Sequence, residues 1–384
     1  MASSGVQQDR PRGCTRPMYR LASVVLVAAV LLGTGCETLG SRALRGERGN
    51  YNIALQQSND EQLLLNLVRL RYRDNPVFLD VGNITTQFSL ETTLDAGIEA
   101  EESAGDIFSL GGGVTYNTSP TIQYTPLSGE DFQQRLMTPL GLDRMLLLYQ
   151  AGWSLKRVFT VLVQRLNNLE NAVRASGPTP GSAPEYETFQ QALEAMRGLE
   201  RLGLLELVQE NLLDGEPRSR VVLSLKEGAW DQPQAELLAR LLGLSRRKLL
   251  YPIIPRGLVQ GVDVPQGDYI MVETRSPLGA MFFLSHAVDT PEDDQRTGKV
   301  TTTRTNAGQA FDWHDVTSEV FEVKTSAIRP TQASTAVRYR GAWFYIADTN
   351  LETKSSFAML NQLLILQSKP AEAPPPVLTL PVGR

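Results

Sequence analysis

The sequence predicts an α+β fold: amphipathic helices with a long antiparallel β-hairpin, and a C-terminal sheet packed on a terminal helix. Three observations carry this reading. Apolar residues recur at helical spacing in several segments, among them Leu63 to Tyr72 and Val158 to Leu169. Residues 84–124 instead alternate apolar and polar with a period of two. Turn-forming clusters of Gly, Pro, Asn and Asp punctuate the segments. The 384 residues, 42% apolar and 21% charged, match ordinary globular usage and exclude wholesale disorder. An acidic balance, 37 Lys+Arg against 42 Asp+Glu, argues against a nucleic-acid surface. Two histidines and two cysteines leave little for multi-ligand metal sites or thiol chemistry.

At the N-terminus, Arg10, Arg12, Arg16 and Arg20 precede an unbroken apolar run, Leu21–Leu32. Its 12 residues fall short of the roughly 20 that a bilayer-spanning helix needs. A basic region before a short apolar stretch reads as a signal peptide covering residues 1–35. The run ends Leu32-Gly33-Thr34-Gly35-Cys36. This ending resembles a bacterial lipoprotein signal with its lipobox, although Gly33 stands where a large aliphatic residue is usual. The resemblance implies cleavage before Cys36 and acylation of that cysteine. More than one acyl chain on Cys36 gives stable anchoring. Glu37 stands where Asp tends to retain such proteins in the inner membrane, so the expected place is the outer membrane, periplasmic face. Removing residues 1–35 takes away four Arg and one Asp, leaving 33 basic and 41 acidic residues. It also removes Cys14, so no intramolecular disulfide remains and the core must hold the fold.

Residues 36–50, polar and Gly-rich, suit a tether. Ser58 and Glu61 form a capping-box pattern for a helix that Asp74-Asn75-Pro76 stops. Helices are expected at 129–149 and 153–174, within a region spanning 51–175. Residues 176–184 read as a linker. An α/β unit is expected over 185–265: a helix at 186–203, strands at 204–209 and 220–225, and a helix at 233–250. A C-terminal α+β unit covers 266–369, with a hairpin across Arg340-Gly341 and a helix at 354–368. Within it, 290–309 reads as a mobile loop or long exposed hairpin. The Pro-rich tail 370–384 should be extended.

From Ile84 to Ala100 and from Phe108 to Tyr124 the even positions are mostly apolar, across far more residues than an ordinary strand of about 5–6. Pairing Ile84 with Tyr124, Leu94 with Val114 and Ile98 with Leu110 puts the apolar positions on one face, with 101–107 as the turn. That face comprises Ile84, Phe88, Leu90, Leu94, Ile98, Phe108, Leu110, Val114, Tyr116, Ile122 and Tyr124. One reading makes it membrane-facing: several copies each contribute a hairpin to a shared barrel, with Gln87, Glu91, Asp95 and Glu99 toward an acidic lumen. This resembles, in architecture, oligomeric export channels and secretion rings of the outer membrane. The other reading lays the hairpin over the helices of a soluble domain. Pro120 and the Thr, Gly and Ala positions count against continuous membrane strands.

His286, four residues after Phe282, reads as a satisfied core or rim residue. His314, between Trp313 and Asp315 and close to Asp312, has the makings of a metal ligand without a second cluster to complete a site. No Gly-x-Ser-x-Gly elbow supports a hydrolase triad. Glu292-Asp293-Asp294 reads as a solvated run, and Gly111-Gly112-Gly113 lacks the Gly-Lys ending of a phosphate loop. Ser245-Arg246-Arg247-Lys248 is accounted for as a basic helix C-terminus. Trp343, Phe344 and Tyr345 are expected to divide between core and contact surface.

These expectations describe a non-enzymatic, lipid-anchored lipoprotein of a Gram-negative envelope, without cofactor or metal. Its role would be a structural or assembly component, with the outer membrane, copies of itself or an envelope protein as partners and no nucleic acid. The alternative is a monomeric, periplasm-facing binding lipoprotein for a protein partner or a cell-wall polymer. A periplasmic hydrolase comes third.

Overall fold

The first long helix, α1 (Cys36–Arg71), includes the polar stretch expected as a tether. It runs straight through Ser58 and Glu61, so that pattern lies inside the helix and caps nothing. Between Tyr51 and Gln57 the residues are helix-tolerant, with no Gly or Pro to force a new start. Left-handed backbone at Arg73 (φ 62°) ends the helix before Pro76. The computed structural model describes residues 36–99, 107–127, 129–178, 180–212, 218–258 and 267–366. The expected signal segment 1–35, residues 101–106 of the expected turn 101–107, and the tail 370–384 lie outside them. The chain forms two compact units, one ending at Asn59 and the other beginning at Asp60, and every element below belongs to the second.

Two long strands, β1 (Leu79–Glu99) and β2 (Ile107–Pro126), form an antiparallel sheet of their own. Their register differs by two residues from the expected one: Ile84 faces Ile122, Leu94 faces Gly112 and Ile98 faces Phe108. A period of two forbids slips of one residue but gives no preference between registers two apart. Even positions therefore still oppose even positions. Tyr124 pairs with Val81, where the uninterrupted ladder would give it Gly82, because a bulge at Val81/Asn83 takes up Gly82. That bulge has a purpose legible in the sequence. Before it the apolar residues are odd, Leu79 and Val81, and after it even, so the extra residue keeps one apolar track continuous. Pro120 lies opposite Thr86 within the ladder.

The root of this hairpin is fastened to α1. Asn66, fully buried, donates from Nδ2 to the Val77 carbonyl at 2.8 Å and accepts from the Val77 N–H at 2.9 Å. Phe78 packs edge-on against Phe132 of α2 (Glu130–Met137) at 5.4 Å.

Helix α3 (Leu142–Gln150) follows, and α4 (Leu155–Leu162) starts where Ser154 accepts the Arg157 N–H. The sequence spacing predicted that α4 would continue to 174. It stops at Leu162 and becomes β3 (Val163–Leu166) and β4 (Leu169–Glu170). The carbonyls a longer helix would need are taken: Arg275 Nη1 donates to Thr160, Val161 and Val163 at 3.1, 3.2 and 2.7 Å. The Asn171 amide also binds Thr160 and Val163. Val158, Leu162, Leu166 and Leu169 fit a helical stripe, but tertiary partners decide here.

Helix α5 (Glu187–Arg201) and strands β5 (Leu205–Leu212) and β6 (Arg218–Leu225) appear close to their expected places. Helix α6 (Pro233–Leu242) ends eight residues earlier than expected, because Gly243 adopts φ 66° and closes it. Ser245–Lys248 thus occupies a turn, where Lys248 pairs with Asp268 at 2.8 Å, and a helix dipole does not account for it. Strands β7 (Leu250–Pro255) and β8 (Ile270–Thr274) complete a six-stranded mixed sheet in the order β4-β3-β8-β7-β6-β5, with β7 and β8 parallel. Segments on both sides of 176–184 share this sheet. The 176–184 segment is itself tied down, its Ala183 N–H donating to Arg304 at 2.8 Å.

Ser276 and Pro277 open α7 (Pro277–Ser285). The stretch 290–309 is not an exposed hairpin: it carries the short helix α8 (Glu292–Arg296) and buries Asp294, Val300 and Thr303. Asp294 bonds Lys299 and the Tyr72 hydroxyl, so the acidic run is only partly solvated. A further turn, α9 (His314–Thr317), precedes β9 (Lys324–Ser326), β10 (Ala333–Tyr339) and β11 (Ala342–Ala347). These strands form an antiparallel sheet in the order β10-β11-β9, and Arg340 and Gly341, at φ 47° and 91°, make its hairpin turn. Helix α10 (Leu351–Ile365) buries Phe357 and Leu360, with Asn350 as its cap. One continuous apolar core runs from Leu63 to Leu363 and includes Phe344.

Candidate functional site

Arg71 ends α1, His286 caps the C-terminus of α7, and the irregular segment 302–314 lies beside both. Together they enclose a pocket of about 440 Å³, whose wall also includes Asp289, Thr290, Gln295, Phe311, Asp312 and His314.

The floor is His286, stacked on Trp313 with ring centroids 4.3 Å apart and planes 18° from parallel. Trp313 is fixed in turn, since its Nε1–H donates to the Thr303 hydroxyl at 3.0 Å, which donates to the Pro180 carbonyl at 2.8 Å. The expectation of a satisfied histidine is half right. His286 is 7% exposed; neither ring nitrogen makes a well-aligned hydrogen bond among the described residues, although the backbone of Gly177 and Ala175 lies against the ring. Burial, together with the charges of Arg71 and Arg275, pushes it down to about 3, against a small opposing pull from the backbone of Gly177 and Ala175. It is therefore a neutral imidazole at any physiological pH. The Thr290 hydroxyl, also 7% exposed, likewise has no hydrogen-bond partner among the described residues.

Arg71 donates from Nε to the Val288 carbonyl at 3.4 Å and from Nη1 to the Thr301 carbonyl at 3.3 Å. Burial lowers its pKa, opposed by its neighbours Tyr72 and the carboxylate of Asp289. At the rim, Asp312 Oδ1 lies 2.9 Å from His314 Nδ1 and accepts the His314 backbone N–H at the same distance. His314 Nε2 lies 3.4 Å from Asp289 and 3.9 Å from Glu322. Burial raises the Asp289 pKa, partly offset by His314. Asp312 is partly desolvated as well, yet the bonds from His314 hold it below the usual carboxylate range.

The two histidines that stood out in the sequence thus meet in one pocket, although 28 positions separate them. Among the described residues, no group of three or more His, Cys, Asp or Glu side chains is arranged to hold a metal ion. Sequence reading missed Arg71, Thr290 and Gln295. Arg71 lies more than two hundred residues from Thr290 and Gln295, and only the tertiary fold gathers them. Cys36 is the first residue of α1, and of the expected hairpin face the structure gives the register described above. Among the described residues, no helix is long and apolar enough to cross a membrane. No protein family, curated protein or solved structure matches the chain.

Proposed function

We propose that this is a non-enzymatic lipoprotein, anchored in the outer membrane of a Gram-negative envelope through Cys36, that contributes its β1–β2 hairpin to β-structure shared among several copies. One observation supports it above others. The two strands, 21 and 20 residues long, pair only with each other among the described residues, leaving both outer edges of the ribbon open. Long open edges are templates for pairing with another chain. At about 3.3 Å per residue the ribbon is roughly 65 Å long, about twice what a tilted membrane strand of 9–11 residues requires. Half of it suffices to cross the bilayer, and the rest joins the crossing to the core.

The test is the protein molar mass of the full chain in mild detergent, by light scattering corrected for bound detergent. A discrete multiple of the monomer supports the shared ring, and Leu94→Asp should then return the protein to monomer while leaving its far-ultraviolet spectrum intact. A monomeric mass refutes the ring and leaves a lipid-tethered binding protein. Mass spectrometry of the mature chain reads the anchor separately: acyl additions at Cys36, absent in Cys36→Ala, are expected.

A further inference from the structure

The aromatic triplet of β11 divides by face, and the shared hairpin gives its outer half no role. Phe344 is buried in the core, whereas Trp343 and Tyr345 point from the opposite side of the sheet and belong to no part of that core. The register sets their neighbours: Arg338 and Ser326 flank Trp343, and Ala336 and Lys324 flank Tyr345. Just past β9, the Ser326 hydroxyl accepts the Ile328 N–H at 3.3 Å. Ile328 is left 77% exposed, and Arg329 beside it stacks over Trp343 at 5.3 Å.

Two guanidiniums thus border one indole, and among the described residues neither Arg329 nor Arg338 has a carboxylate partner. The carboxylates that border this sheet are engaged by other cations: Glu322 by Lys324 at 3.7 Å, Asp74 by Arg340 at 2.8 Å and Asp348 by Lys354 at 2.6 Å. An anion in water would satisfy the two arginines but give Ile328 nothing to bury against. A bilayer surface does both. Its phosphates attract basic side chains, Trp and Tyr settle at headgroup level, and an apolar side chain enters the acyl boundary.

We infer that this face rests on an anionic phospholipid surface, with Ile328 inserted, Trp343 and Tyr345 at the interface, and Arg329 and Arg338 on lipid phosphates. The inference rests on the membrane placement of the proposed function, not on insertion of the hairpin.

Tryptophan fluorescence tests it, with the full chain reconstituted into vesicles of phosphatidylethanolamine and phosphatidylglycerol carrying brominated acyl chains. Bromine quenches on contact, so emission should fall relative to unbrominated vesicles, and Trp343→Phe should remove most of that fall. A basic residue at an anionic surface contributes a factor of about five, so Arg329→Gln with Arg338→Gln should lower the docked-to-undocked ratio about 25-fold. Replacing phosphatidylglycerol with phosphatidylcholine should weaken quenching in the same direction. Ile328→Asp, at so exposed a site, should leave the fold intact and also lower it. Sedimentation with the vesicles reads membrane placement separately. Chains that sediment but show no quenching, or the same quenching in Trp343→Phe, overturn the proposal and leave the membrane placement standing. Chains that stay in solution overturn both. Absence of quenching together with a smaller detergent-corrected mass for Arg338→Gln would assign the face to a second copy and overturn the lipid contact.

Discussion

Arg275 is only 1% exposed and, among the described residues, no carboxylate pairs with it, so replacing it with methionine is an informative perturbation. Its guanidinium binds the carbonyls of Thr160, Val161, Val163 and Asn171 and the Ser176 hydroxyl, and it stacks over Phe283 at 4.1 Å. Burial pushes its pKa down to about 9, so it remains a cation at neutral pH. Three of those carbonyls close the last turn of α4, where a cation is favoured by the helix dipole. In Arg275→Met, Thr160 and Val163 keep the Asn171 amide, while the Val161 and Asn171 carbonyls lose their side-chain donor. Two buried orphan acceptors cost about 2–6 kcal/mol together. Relief from burying a charge returns part of that, since apolar replacements of buried ions are often tolerated. The expected net loss is about 3 kcal/mol, a large share of the 5–15 kcal/mol typical of folded domains. With a urea m-value of about 3 kcal/mol/M, the midpoint should fall by about 1 M. Equilibrium unfolding followed by circular dichroism and tryptophan fluorescence measures it. An unchanged midpoint with an unchanged slope would refute the argument that Arg275 ends α4 and secures the sheet.

Other outcomes follow from the same geometry. His286 is neutral in the fold, while its unfolded pKa is near 6.5, so the unfolded chain binds the extra proton between these values and stability falls as pH drops from about 6.5 toward 3. His286→Phe should flatten that slope by up to about 1.4 kcal/mol per pH unit, read from urea midpoints across the window. Asn66→Leu keeps the volume but removes both bonds to Val77, so about 1–3 kcal/mol should be lost and amide exchange near residues 77–79 should quicken. Gly341→Val forces a β-branched side chain into φ 91° and should lower the unfolding free energy by more than about 1 kcal/mol; an unchanged value would mean the turn has another accessible conformation.

What the sequence made legible was the local chemistry. The Arg340-Gly341 turn, α5, β5, β6 and the long hairpin are each specified by neighbours within a few residues. The hairpin register was specified only in parity, which is all that alternation can encode. Gly82, the bulge at the root, is visible in hindsight as the point where apolar residues switch from odd to even. The helix expected over 153–174 was misread because Val158, Leu162, Leu166 and Leu169 suit either structure, and the arbiter, Arg275, lies more than a hundred residues away. The same distance hid the pocket. His286 and His314 drew notice as rare residues, but Arg71 and Thr290 carry no local mark of their role.

The strand order β4-β3-β8-β7-β6-β5 has a consequence for assembly. Strand β8 is inserted between β3 and β7, yet it is the last of the six in chain order. Until residue 274 is available, Val163–Leu166 has no strand on that side, and α4 lacks the guanidinium that closes it. A chain that becomes available N-terminus first therefore passes through about a hundred residues with an open sheet edge, a state prone to mispairing. Truncated chains ending before Arg275 should be protease-sensitive at 155–176, and those extended well past it should not.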